Sequence, residues 1–251
     1  MGARKAIILL AAASATALSL TGCFGVETTP EKSAKAAAKA KNAVTAQKGL
    51  KIGAVNAKVK VEDAAIVQDP NGVAAVVRLK NTGSTQVTVP IAITVSDAQG
   101  KKLYANDTPG LDPSLTSVAV LKAGGEVDWV NNQILVAGKA AKAAAEVGQA
   151  KGKGAPSALP EIAIEGVTHG QDEDGFFAQG TLRNESAVSQ KRLVVTCVAR
   201  DGGKVVAAGR AVVEKLDPFA TVKKPTKFTV FFIGDPKSAK LDCSAPPTVL
   251  S

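Results

Sequence analysis

Between residues 87 and 96, large aliphatic side chains fall on every second position: Val87, Val89, Ile91, Ile93 and Val95. Side chains alternate across an extended backbone, so this period of two predicts a half-buried strand of β-branched residues. Pro90 falls on the opposite face and lacks a backbone donor, which predicts an edge strand or a bulge there. Residues 73–80 predict a strand before it, entered through the turn sequence Asp69-Pro70-Asn71-Gly72. Asp97-Ala98-Gln99-Gly100 turns the chain into a further strand over 101–105. No long helical apolar pattern occurs in this region.

The second half of the chain repeats the first. Asp69-Pro70-Asn71-Gly72 matches Asp172-Glu173-Asp174-Gly175, and Leu79-Lys80-Asn81 matches Leu182-Arg183-Asn184, both at an offset of 103 residues. One residue further on, Ile91-Ala92-Ile93-Thr94-Val95-Ser96-Asp97 matches Val195-Thr196-Cys197-Val198-Ala199-Arg200-Asp201, and one more aligns Leu111-Asp112-Pro113 with Leu216-Asp217-Pro218. Four blocks in the same order with small gaps indicate a duplicated domain. Short strands and frequent turns in units of about 90 residues predict an all-β chain of two immunoglobulin-like antiparallel β-sandwiches in tandem. The two halves are expected to fold alike and separately.

The ends and the middle differ in composition. Arg4 and Lys5 precede an apolar run over 6–20, shorter than the roughly 20 residues of a spanning helix. A basic start, an apolar core and a small-residue processing site make an export signal. Its last residues, Leu20-Thr21-Gly22-Cys23, resemble a bacterial lipobox, in which the cysteine after the cut receives a diacylglyceryl thioether. The organisation expected is therefore a signal peptide at 1–22, a lipidated tether at 23–49, a β-sandwich at 50–138, a linker at 139–157 and a second β-sandwich at 158–251. The tether suits a helix by propensity but has no broad apolar stripe, which leaves a solvated helix or a stalk.

Charge sharpens the picture. The formal net charge is +9. Residues 23–48 carry five Lys against two Glu, and residues 139–157 carry four Lys against one Glu. Residues 49–138 balance eight basic with eight acidic groups, and residues 158–251 hold twelve against eleven. The excess therefore sits in the Ala/Lys-rich segments. A nucleic-acid partner would require it on a folded face with base-contacting groups, so none is expected. Basic tethers are attracted to anionic lipid and wall polymer instead.

Residues 193–206, followed by Leu216-Asp217-Pro218-Phe219, resemble the FxLYD-type and related immunoglobulin-like domains of bacterial lipoproteins. Leu79-Lys80-Asn81-Thr82-Gly83 and Asp97-Ala98-Gln99-Gly100-Lys101-Lys102-Leu103 carry the resemblance in the first half, although Ser96 and Arg200 stand where that family has a tyrosine. The resemblance implies a non-catalytic module displayed in the envelope.

Candidate chemistry is sparse. After Cys23 only Cys197 and Cys243 remain, and an even pair in an exported chain reads as a disulfide. Two free thiols or a redox pair are the alternatives, but no Cys-x-x-Cys spacing exists. Such a bridge would contribute roughly 4 kcal/mol by loop closure. Asp172, Glu173 and Asp174 are the ligand type that calcium takes, yet the calcium-loop spacing is absent and a solvated turn is expected. His169 is the one histidine, too few for an ordinary zinc site and without a nucleophile elbow. Trp129 alternates like a strand residue and is expected to pack. The reading is a lipid-anchored, non-catalytic binding or scaffold module on the extracytoplasmic face of a bacterial membrane, with no cofactor, no metal and an envelope protein or wall polymer as partner. A small-ligand-binding lipoprotein and an envelope hydrolase are the alternatives.

Overall fold

The computed structural model describes residues 49–251 apart from Ser238. The expected signal peptide, Cys23 and all of the expected tether except Gly49 lie outside the described residues.

The chain is all-β and built from antiparallel sheets. The first half contributes β1 (Val59–Asp69), β2 (Gly72–Asn81), β3 (Gln86–Ser96), β4 (Lys102–Ala105), β5 (Ser117–Leu121), β6 (Glu126–Ile134) and β7 (Lys142–Val147). The second contributes β8 (Ile162–Asp172), β9 (Gly175–Asn184), β10 (Gln190–Asp201), β11 (Lys204–Leu216), β12 (Thr226–Phe231), β13 (Ile233–Gly234) and β14 (Lys240–Ser244). In the first half, sheet β1-β2-β6 faces a sheet centred on β3, which pairs with β5 and β4 along one edge and β7 along the other. In the second, β8-β9-β12 faces β13-β11-β10-β14.

The repeated sequence blocks occupy matching places in the two halves. Both β1–β2 and β8–β9 are hairpins closed at the aligned turns, Asp69 opposite Gly72 and Asp172 opposite Gly175. Asp172 Oδ1 accepts the Asp174 and Gly175 amides as Asp69 Oδ1 accepts that of Asn71, so the acidic triplet forms a hairpin turn. Asn81 and Asn184 are both buried. Each donates from Nδ2 to a carbonyl at the end of a neighbouring strand, Leu121 O and Leu216 O, at 3.2 Å in both halves. A buried amide must find partners, and here it ties one sheet to the other at the same corner twice.

That pairing corrects one block of the sequence alignment. The partner of Leu216 is Leu121, opposite Gln190 and Gln86 respectively, not Leu111. The second half runs β11 unbroken for 13 residues, whereas the first splits the same stretch into β4 and β5 around an insertion that carries Asp112-Pro113-Ser114. The two Leu-Asp-Pro sequences look alike because each opens a short helical turn, at Pro113–Leu115 and Phe219–Val222.

Two further expectations change. Residues 139–157 contain β7, whose Ala and Lys residues pair with β3 from Ser96 opposite Lys142 to Ile91 opposite Val147. The backbone continues beside β3 as far as Gly152, which donates to Val87 O at 3.0 Å. Part of the expected linker is thus a strand of the first half, and its far edge is met at its end by residues 54–56, where Asn56 N donates to Val147 O at 2.9 Å. β3 is consequently interior. Pro90 is accommodated where the β7 ladder ends, with Pro90 O accepting from Gly148 N at 2.9 Å.

Three apolar clusters lie between four stacked sheets. The first fills the N-terminal half around Val77, Leu79, Ile91, Ile93 and Trp129, and the second fills the C-terminal half around Leu182, Leu193, Val195, Phe228 and Val230. The third joins the halves: Ala74, Val76 and Val130 from β2 and β6 meet Val198, Ala208 and Ile233 from β10, β11 and β13. β2 is therefore covered on both faces. Gly234 lies in this seam at φ +93°, and a Cβ there would fall 2.3 Å from Val206 O and 2.5 Å from Val67 Cγ1. Only glycine lets the backbone approach so closely. The halves are joined through buried surface that neither covers alone.

Cys197 and Cys243 form a disulfide between directly opposed residues of β10 and β14, with Cα atoms 4.1 Å apart. The corresponding pair in the first half is Ile93 opposite Ala145.

Candidate functional site

Beside the closed seam, the sheets leave a slot of about 270 Å³. From the first half it takes Val118, Val127, Trp129 and the Asp112–Ser114 turn; from the second it takes Lys191, Arg192, Val194 and the C-terminal residues Pro246 and Thr248. The insertion between β4 and β5 forms one wall. Asp112 caps its helical turn, accepting from Ser114 N at 2.9 Å and from Ser114 Oγ. Trp129 packs in the first core and its Nε1 donates to Ser114 O at 3.1 Å, which fixes the indole against the same turn.

Arginines of the second half hold this wall. Arg192 Nη2 donates to Asp112 Oδ2, and Arg192 Nη1 to Glu214 Oε1 at 2.9 Å. Arg210, buried in β11, donates from Nη2 to Ser114 Oγ while its Nε finds no partner. Burial pulls the Arg210 guanidinium below its ordinary value; Arg192 adds to this and Asp112 opposes it. A third arginine, Arg200, reaches across to Asp128 Oδ1 at 2.8 Å, and Arg78 binds the same carboxylate at 3.2 Å. Asp128, Arg200 and Arg210 are largely covered, so their bonds fix geometry more than they add stability, whereas Arg192 and Glu214 are exposed and their pair contributes little.

Two slot residues have left-handed backbone. Thr88 has φ +52° and Arg192 has φ +49°. They are the same position of β3 and β10, each skipped by the strand pairing on either side. Positive φ is uncommon in non-glycine residues and a genuine outlier for a β-branched one. Its retention in both halves, with both residues in the slot wall, marks the place where the fold holds strain.

For Asp112, burial works to raise the carboxyl, but the bonds from Ser114 and Arg192 outweigh it and hold the group below its usual value. A carboxyl that binds its proton less readily when folded contributes stability above the unfolded-state value of about 3.9 and loses it as pH falls through the lower folded-state value. Asp112→Asn should therefore cost about 1 kcal/mol or less at neutral pH and nothing in acid below both values. Denaturant unfolding of both proteins across that range measures the convergence. A gap that persists in acid would mean that the charge is not what holds the turn.

The other residues named from sequence lie elsewhere. His169 is exposed on β8 and makes no side-chain hydrogen bond among the described residues. Among those residues no group of three or more His, Cys, Asp or Glu is placed to hold a metal ion. Lys191, Arg192, Asp112 and Thr88 are absent from the sequence-derived candidates. The signal that could have found them is the duplicated alignment, which places Thr88 and Arg192 at one position. No protein-family model matches the chain, and no curated protein matches it either.

Proposed function

We propose that the protein is a non-catalytic binding or scaffold module of the bacterial cell envelope, lipid-anchored through Cys23 on the extracytoplasmic face of the membrane. In this reading the two halves are immunoglobulin-like units, as the resemblance to FxLYD-type lipoprotein domains implies. The basic segment after Cys23 would lie close to anionic lipid or wall polymer. The observation that carries the binding reading is the slot. Its hydroxyls at Ser114, Ser117, Thr196 and Thr248 are each held by the fold, and His169 is not among its lining residues. That arrangement offers shape and charge rather than an activated nucleophile. A small-ligand-binding lipoprotein is the second reading, favoured by the volume of the same slot.

Mass spectrometry of the protein taken from membranes tests the anchor. The mature chain should begin at Cys23 and carry a diacylglyceryl group, and Cys23→Ala should abolish both attachment and normal processing. Two acyl chains hold a protein stably where one is marginal, so the variant should leave the membrane fraction. An unmodified mature cysteine overturns the anchor. Crosslinking in intact cells should then capture a discrete envelope partner.

A further inference from the structure

We propose that the slot between the halves binds a small organic acid with a flat or branched apolar body. The inference rests on reading the folded body as a binding module, and it names the ligand chemistry of that module.

The ligand class follows from which groups in the slot are already engaged. Ser114 Oγ is bonded to Asp112, Ser117 Oγ to Pro113 O at 2.8 Å, Thr196 Oγ1 to Ser244 Oγ at 2.9 Å, and Thr248 Oγ1 to Lys191 O at 2.7 Å. Both carboxylates are engaged as well, Asp112 by Arg192 and Asp128 by Arg78 and Arg200. Two polar side chains in the lining remain. Lys191 has no ion-pair partner among the described residues, and the Thr88 hydroxyl has no hydrogen bond there. An ammonium and a hydroxyl suit one acidic group of a ligand.

The remainder of the wall is apolar. Val118, Val127 and Trp129 on one side face Val194 and Pro246 on the other. A sugar would leave its hydroxyls unpaired against such a surface, and a cation would meet Lys191 with no unpaired carboxylate to receive it. Arg210 donates to Ser114 Oγ behind the lining and bonds no carboxylate there, although the Asp112 charge acts on it. The strained Thr88 backbone fits a residue held for its position in the wall.

Trp129 is the one tryptophan of the chain, so its indole N–H gives a single resolved signal in a proton–nitrogen spectrum. The full chain in lipid nanodiscs is titrated with 2-naphthoate as the probe. A saturable shift of that signal is expected, with a dissociation constant on the order of 0.1 mM. 2-Naphthylmethylamine should produce no saturable shift. Lys191→Glu should weaken naphthoate binding at least about tenfold. Val194→Phe should fill the slot and abolish the response with the unfolding temperature unchanged; Ala119→Phe does the same from the opposite wall if the first variant does not fold.

No saturable shift, equal affinity for acid and amine, or a response indifferent to Lys191→Glu and to both filling variants overturns the proposal. A silent slot in a protein that still carries its lipid and crosslinks to a partner overturns the ligand alone. A lipid-free chain with no partner overturns the module.

Discussion

Val76→Asp should lower the stability of the whole chain by about 4 kcal/mol or more, enough to unfold a marginal domain. Val76 is 2% exposed and sits in the seam with Ala74, Val130, Val198, Ala208 and Ile233. An aspartate there has no cation within the cluster, so it stays charged and unsolvated, takes up a proton, or forces the sheets apart. Val61→Asp on the neighbouring β1 is the control, because Val61 is 37% exposed and its change should stay within about 0.5 kcal/mol. Urea unfolding followed by Trp129 fluorescence and by far-ultraviolet circular dichroism measures both. In the natural protein the two probes should coincide, since Trp129 reports on one half and the strand signal on both. Val76→Asp as mild as Val61→Asp would show that the halves do not depend on the seam.

Removing the disulfide should cost 2–4 kcal/mol, the second largest effect. Cys197 and Cys243 are separated by 46 residues, and constraining a loop of that length in the unfolded chain accounts for a contribution of roughly 4 kcal/mol before any offset. The first half shows what the bridge replaces. At the same register Ile93 packs opposite Ala145 within the first core, with no covalent link. Along the inward face, Val89, Ile91, Ile93 and Val95 become Leu193, Val195, Cys197 and Ala199, so the second half has less side-chain volume at its last two positions. Dithiothreitol, or Cys197→Ala with Cys243→Ala, should lower the denaturant midpoint of the second half, and the seam should carry part of that loss into the first. Two titratable thiols in protein isolated without reductant and then denatured would refute the bridge in the native molecule.

The strands were the legible part of the sequence. Val87, Val89, Ile91, Ile93 and Val95 announce β3 because large aliphatics alternate with smaller or polar residues. β7 was hidden by its alanines. Lys142, Ala144 and Glu146 are exposed while Ala143, Ala145 and Val147 turn inward, a true period of two. Alanine contributes so little contrast that the segment reads as helix-favouring linker, and pairing with β3 overrides the propensity. The seam had a signal too. Val73-Ala74-Ala75-Val76-Val77 is apolar without alternation, which is how a strand covered on both faces is written. The slot was not legible beyond the alignment of Thr88 with Arg192, because the reach of Arg210 to Ser114 and of Arg192 to Asp112 joins residues 96 and 80 positions apart.

The seam joins unlike faces. The first half presents β2 and β6, whereas the second presents β10, β11 and β13. Such a head-to-tail contact does not close on itself, and identical repeats using it would add one to the next into a filament. The positions that would continue it carry different side chains. Val76 and Val130 are replaced in the second half by Gln179 and Thr229, both exposed, and Val198 is replaced in the first by Thr94. One face of each kind is thus apolar and covered while its counterpart in the other half is polar, so the contact that joins the halves is not offered again at either end, and the chain is left as a discrete particle rather than the seed of a fibre.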